Sequence, residues 1–303
     1  MFEGLMPALV TPFDEDGEID LQATEAVVER HIEAGVDGIS ALGSTGEFSH
    51  LTGPERRWFA EALVGMIDGR VPLVVGVGTT GTREAVDLAR HAESIGADGV
   101  LSVSPFYWKV GEEALFRHFV TVAESVEIPT LIYNFPMLTG IDLSPALVGR
   151  LAAECPNLVG IKDTVKEYMH TVNVLREAKE FRPDFMVLVG FEDQILPALL
   201  AGADGAICGL SNIAPELFVG LVRAFEGGDL AKAMELHRRI LPLMAIYTLS
   251  DPGLGAAKLA MKKLGVPLSP TVRGPALPAP PDSEEAIEAT LEAAGLLPVQ
   301  GEA

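Results

Sequence analysis

Basic residues are scarce: 22 Lys and Arg stand against 43 Asp and Glu in 303 residues, a formal charge of -21. Such a balance repels phosphate backbones and anionic lipid, which argues against nucleic acid or a membrane surface as the main partner. It reads as a soluble acidic surface, with a salt-rich or acid setting as the alternative. Cysteine is nearly absent. Cys155 and Cys208 lie far apart, each in or beside an apolar stretch, and read as two buried free thiols in a reducing cytoplasm rather than a disulfide. No apolar stretch is long enough to span a bilayer. Met1-Phe2-Glu3-Gly4 has no basic segment followed by an apolar one, so no signal peptide is expected. The six histidines, His31, His50, His91, His118, His170 and His237, show no paired ligand spacing, and neither a metal centre nor another cofactor is expected. Glycine and proline, by contrast, are plentiful at 31 and 21. With 48% hydrophobic residues, they predict a compact α/β protein with many tight connections.

Eight apolar runs predict strands at residues 5–10, 38–42, 71–77, 99–104, 129–134, 158–163, 185–190 and 205–209. Helical patterns separate them, at 21–34, 54–67, 82–95, 112–125, 144–153 and 168–179. Strands apolar on both faces, alternating with helices, predict a (β/α)8 TIM barrel. The phrase Ala/Ile-Gly-Val/Ala-Asp-Gly recurs around Gly35, Gly96 and Gly202. Each copy follows a helix and opens a strand, with Gly at the helix C-cap, so these are structural turns. Val75-Gly76-Val77-Gly78-Thr79-Thr80-Gly81 lacks the third glycine of a dinucleotide loop and reads as a strand-end loop. Residues 1–225 are expected to form the barrel and 226–303 a helical extension packed on it. From about Pro215 helices are expected at 215–226, 229–243 and 252–264. A proline-rich connector at 275–281 then leads to a last helix through Leu296, opened by an Asp282/Glu285 capping box.

The chemistry points to Lys162. In Leu158-Val159-Gly160-Ile161-Lys162-Asp163, period-2 alternation puts Leu158, Gly160 and Lys162 on one face, with Gly160 leaving space beside the lysine. An ammonium on a covered face is costly unless it is paired or loses its proton, and a neutral amine is a nucleophile toward ketones. Catalytic residues of such barrels cluster at the carboxyl ends of strands. There stand Gly43-Ser44-Thr45-Gly46-Glu47, a loop of hydroxyls and N–H groups able to cradle a carboxylate or phosphate. Tyr133, one strand before the lysine, offers a phenol as proton relay. Gly190 admits close approach to a ligand, and Glu192 and Asp193 offer carboxylates to polyol hydroxyls or serve a plain solvated loop.

Three segments, Gly43-Ser44-Thr45-Gly46-Glu47, Tyr133-Asn134-Phe135-Pro136 and Gly160-Ile161-Lys162-Asp163-Thr164, closely resemble the dihydrodipicolinate synthase / N-acetylneuraminate lyase family. The resemblance runs from about Leu5 to the C-terminal helices. It implies a Schiff-base-forming barrel acting on pyruvate or another 2-keto acid, built as a homotetramer, a dimer of dimers. Lys162 would form the imine and Tyr133 would relay the proton. Ser44 and Thr45 would hold the carboxylate, Gly190 would sit against the keto acid, and Tyr107 would complete the relay across a subunit interface. Leu138 stands where the synthases usually carry an arginine for a second carboxylate, which argues against the lysine-biosynthetic role. The segments 104–110 and 133–140, with Lys162-Asp163-Thr164, look most like the 2-keto-3-deoxy sugar acid aldolases, such as those acting on 2-keto-3-deoxygluconate. In that branch Thr164 would contact sugar hydroxyls, and the products would be pyruvate and an aldehyde. A synthase, an N-acetylneuraminate lyase, a dehydratase of the family or a non-catalytic sugar-acid-binding barrel are the alternatives.

Overall fold

Each of the eight apolar runs forms a strand in a computed structural model that describes residues 2–298. These are β1 (Gly4–Pro7), β2 (Ile39–Ala41), β3 (Leu73–Gly76), β4 (Gly99–Val103), β5 (Thr130–Asn134), β6 (Leu158–Asp163), β7 (Met186–Val189) and β8 (Gly205–Cys208). The strands pair in parallel in the order β1-β8-β7-β6-β5-β4-β3-β2. A bridge between Ala8 and Ser40 brings β1 back to β2, so the (β/α)8 barrel is nearly closed. Among the described residues no helix is long and apolar enough to cross a membrane. The ends of the two expected segments, residue 1 and residues 299–303, lie outside the described residues.

The core has two layers. Met6, Val74, Leu101, Leu131, Leu188 and Ile207 fill the barrel interior, with Phe2 buried among them. A larger outer shell lies between strands and helices. The recurring turn phrase does structural work: Gly35, Gly96 and Gly202 adopt φ of 81°, 88° and 98°, a conformation open to glycine at little cost. Its aspartates then cap neighbouring strands. Asp37 accepts from the Leu5 N–H, Asp98 from Leu73 and Asp204 from Val187.

Two local expectations are corrected. The β5–β6 register shifts between Thr130 and Leu131, pairing Thr130 with Leu158 but Leu131 with Gly160. This irregularity breaks the alternation. Leu158 joins the outer shell with Ile161, while Val159 packs against the interior. Gly160 leaves no open space either, because a Cβ there would lie 2.6 Å from the Met186 carbonyl and 3.0 Å from Leu131 Cδ2. The last helix is Glu284–Ala293, and Asp282 does not cap it. Asp282 lies inside a preceding 3-10 turn, Pro281–Ser283, where the backbone is already helical and the Ser283 hydroxyl donates back to Pro280.

The extension comprises Leu230–Ile240, a 3-10 stretch Leu241–Thr248, Leu254–Lys263 and the last helix. It reaches the barrel mouth through a fully buried ion pair: Lys258 Nζ lies 2.6 Å from Glu47 Oε1 and 2.8 Å from the Thr271 carbonyl. The other Glu47 oxygen accepts the Arg273 N–H, and both cations lie over the Phe13 ring. Burial pulls the Lys258 ammonium below its usual value, with the Glu47 carboxylate opposing that pull. Breaking a buried pair on one side is far costlier than replacing both partners. Lys258→Met is therefore expected to lower stability by about 3–5 kcal/mol. Adding Glu47→Leu should recover part of the loss, and denaturant unfolding followed by circular dichroism checks both.

Candidate active site

Register decides which side chains meet. Tyr133 of β5 pairs with Lys162 of β6, so phenol and amine stand side by side at the carboxyl ends of adjacent strands. Lys162 is only 4% exposed, and its Nζ lies 4.3 Å from the centre of the Tyr133 ring. The Tyr133 hydroxyl is 3.4 Å from Ser44 Oγ, a long contact of the kind that tightens when substrate binds.

The β2 loop supplies the facing wall. Leu42 and Glu47 both take positive φ, 57° and 54°, and Thr11 fastens the loop by donating to the Gly46 carbonyl. Among the described residues no acceptor takes the N–H groups of Ser44 or Thr45. Two free donors beside two hydroxyls suit a carboxylate. Ser44, Thr45, Tyr133, Lys162, Thr164 and Gly190 all line one cavity of about 630 Å³, within the range of small-molecule sites. Gly190 is required by its neighbour: a Cβ there would lie 1.8 Å from Thr164 Oγ1. That hydroxyl is buried and without a partner. The rim is apolar, with Phe48, Phe106, Phe135, Phe191, Met137 and Leu138.

Two expected site residues lie elsewhere. Glu192 is fully buried and does not line the cavity. Its Oε1 accepts the Leu210 N–H at 2.8 Å and the Tyr247 hydroxyl at 2.8 Å, so Tyr247 stands at the cavity wall in its place. The sequence signal missed was Pro242: the expected helix 229–243 stops at Ile240, and the chain continues as the 3-10 stretch Leu241–Thr248 that carries Tyr247. Tyr107 is 85% exposed, stacked edge-on against Trp108 with φ 83°, and does not line the cavity of its own chain.

A polar network behind Lys162 was also not anticipated. Asn134 donates to Asp142 and Asp163, and Thr171 donates to Asp163. Both ring nitrogens of His170 face oxygens, Asp163 Oδ2 at 3.0 Å and the Leu143 carbonyl at 2.9 Å. Only the imidazolium can donate to both. Burial opposes that charge, but the hydrogen bond and charge of Asp163, with Leu143 and Asp142, raise His170 to about 9.

The barrel and cavity define a (β/α)8 enzyme whose pocket brings together a buried amine, a neighbouring phenol and the hydroxyls of Ser44 and Thr45. The chain belongs to the Dihydrodipicolinate synthetase family, whose sequence profile matches residues 1–294, and it is a lyase. Among its relatives is an Escherichia coli K12 protein named "Probable 2-dehydro-3-deoxy-D-pentonate aldolase YjhH", 42% identical over 298 residues that cover 98% of this chain and 99% of that protein. The 4-hydroxy-tetrahydrodipicolinate synthase of Methanopyrus kandleri is 39% identical over 99% of this chain and 98% of its own. The crystal structure of YagE, a prophage protein of this family from E. coli K12 in complex with pyruvate, superposes with a TM-score of 0.96. It is 41% identical, over 98% of this chain and all of that one.

The raised His170 value makes stability fall with pH. Its contribution is fully present below the unfolded value near 6.5 and is lost as pH rises through about 9. Discounted for partial exposure, the loss should be on the order of 1–2 kcal/mol. A pH series of unfolding midpoints checks it, and His170→Gln should flatten that slope.

Proposed function

We propose that the protein is a Schiff-base-forming aldolase that cleaves a 2-keto-3-deoxy sugar acid reversibly to pyruvate and an aldehyde. The observation that carries this is the Lys162 amine packed against the Tyr133 phenol inside a cavity with two free N–H donors. The unprotonated amine adds to C2 of the keto acid, and water leaves with a proton given by the Tyr133 phenol, giving an iminium beside a phenolate. Tyr133 takes the proton of the C4 hydroxyl, the C3–C4 bond breaks, and its electrons pass into the iminium to form an enamine. Protonation at C3 and hydrolysis release pyruvate. Ser44 and Thr45 hold the carboxylate throughout, and Thr164 meets a chain hydroxyl.

The pyruvate complex of YagE and the name of YjhH support this reading. Leu138, apolar and exposed on the cavity rim, weighs against a synthase, because it offers no cation to a second carboxylate. The same reading places Tyr107 of a neighbouring copy at the mouth, within a dimer of dimers. Its exposure beside Trp108 supports that role.

Borohydride reduction in the presence of pyruvate should fix a pyruvate-derived mass on Lys162. Comparable cleavage by a Lys162→Ala variant would sink the proposal. Tyr133→Phe is expected to lower kcat by about 10²–10⁴ with little change in fold, read by pyruvate release from 2-keto-3-deoxy hexonates and pentonates, with N-acetylneuraminate as control. A dehydrated keto acid in place of pyruvate and aldehyde would assign the chain to a dehydratase instead.

A further inference from the structure

We infer that Tyr247 is a specificity-determining residue, accepting a hydrogen bond from a substrate hydroxyl beyond C4, with Glu192 as the positioning residue behind it. The inference rests on the aldol reading above and names what that reading leaves open, the group that distinguishes a sugar acid from a plainer hydroxy-keto acid.

Tyr247 comes from the extension, from the 3-10 stretch Leu241–Thr248, yet it lines the same cavity as Lys162. Its hydroxyl donates to Glu192 Oε1 at 2.8 Å. That oxygen is held in turn by the Leu210 N–H, so the carboxyl group cannot swing away. Glu192 is fully buried, and its Oε2 has no partner. A polar group is kept in such a place only when something else depends on it. The single hydrogen of the phenol is thereby committed, and what the oxygen presents to the cavity is a lone pair. Burial, with the neighbouring Glu192, holds the Tyr247 phenol well above its ordinary value, so the hydrogen stays in place.

An acceptor backed by a carboxyl group is the wrong partner for a carboxylate or phosphate. It is the right partner for an alcohol. Gly209 is required where it stands: a Cβ there would lie 2.8 Å from the Tyr247 oxygen and 2.9 Å from Thr45 Oγ1, so only glycine lets Tyr247 pack this close to the barrel. In the strand order Tyr133 of β5 lies on one side of Lys162, while Glu192 follows β7 on the other and holds the Tyr247 hydroxyl there. One phenol is thus free to serve the C4 oxygen while the other reads further along the chain.

The test compares kcat/KM for a 2-keto-3-deoxy pentonate, hydroxylated at C4 and C5, with that for 4-hydroxy-2-ketopentanoate, which ends in a methyl at C5. Wild-type enzyme should prefer the hydroxylated acid. Tyr247→Phe should cut that preference about tenfold, mainly through KM, since one neutral hydrogen bond is lost. Glu192→Gln keeps an oxygen for both donors and should retain the preference, whereas Glu192→Leu should lose it. Unchanged discrimination in Tyr247→Phe, or equal losses on both acids, would overturn the inference. Borohydride trapping of pyruvate on wild-type Lys162 separates the two levels. Without trapping the aldol reading fails, and with it this inference. With trapping but no shift in selectivity, only the assignment of Tyr247 fails.

Discussion

The mouth of this barrel takes its shape from a buried charge pair that is not part of the barrel wall. Glu47 closes the β2 loop in a left-handed conformation, and Lys258 reaches it from the extension with both side chains fully buried. Neither charge is tolerable without the other. The pair therefore couples two requirements, the path of the Gly43–Glu47 loop and the docking of the extension. Ser44 and Thr45 line the cavity on that fixed loop, and Tyr247 joins them from the docked extension. Phe13, under both Lys258 and Arg273, adds cation–π contacts to the same joint.

Much of the architecture was legible because it depends on short-range rules. Apolar runs with glycine-capped helices between them define strand count and order, and the eight strands fall within a few residues of where patterning puts them. That these residues would meet was legible for the same reason: Lys162, Tyr133, Ser44, Thr45, Thr164 and Gly190 lie at or just past strand ends, and a barrel brings strand ends together around one cavity. What escaped depends on register and on long-range contacts. The shifted pairing of Thr130 and Leu131 moves Leu158 to the outside, and alternation alone cannot foresee an irregularity of that kind. Glu192 looked like a ligand because it follows Gly190. Only the fold reveals that Tyr247, 55 residues further on, covers it.

The network around Asp163 illustrates a division between reaction and support. Lys162 and Asp163 are consecutive, so alternation sends them to opposite faces of β6. One enters the cavity, and the other enters a cluster with Asn134, Thr171 and His170 that ties the end of β5 to the start of the helix Tyr168–Phe181. A rigid strand end beneath a flexible lysine side chain is what preorganisation of an amine requires. On the proposed chemistry, the strand is held on one face while the other carries the reacting amine.

The sealed interior of the barrel has a kinetic meaning. Phe2, Met6, Leu101 and Leu188 fill the space beneath the site, so the chamber is closed at its inner end and opens past the apolar rim. On the proposed chemistry the three-carbon fragment stays tethered to Lys162 at the inner end, while the aldehyde lies between it and the exit. The aldehyde departs first and pyruvate last, and in the synthetic direction pyruvate must already be seated before the aldehyde arrives.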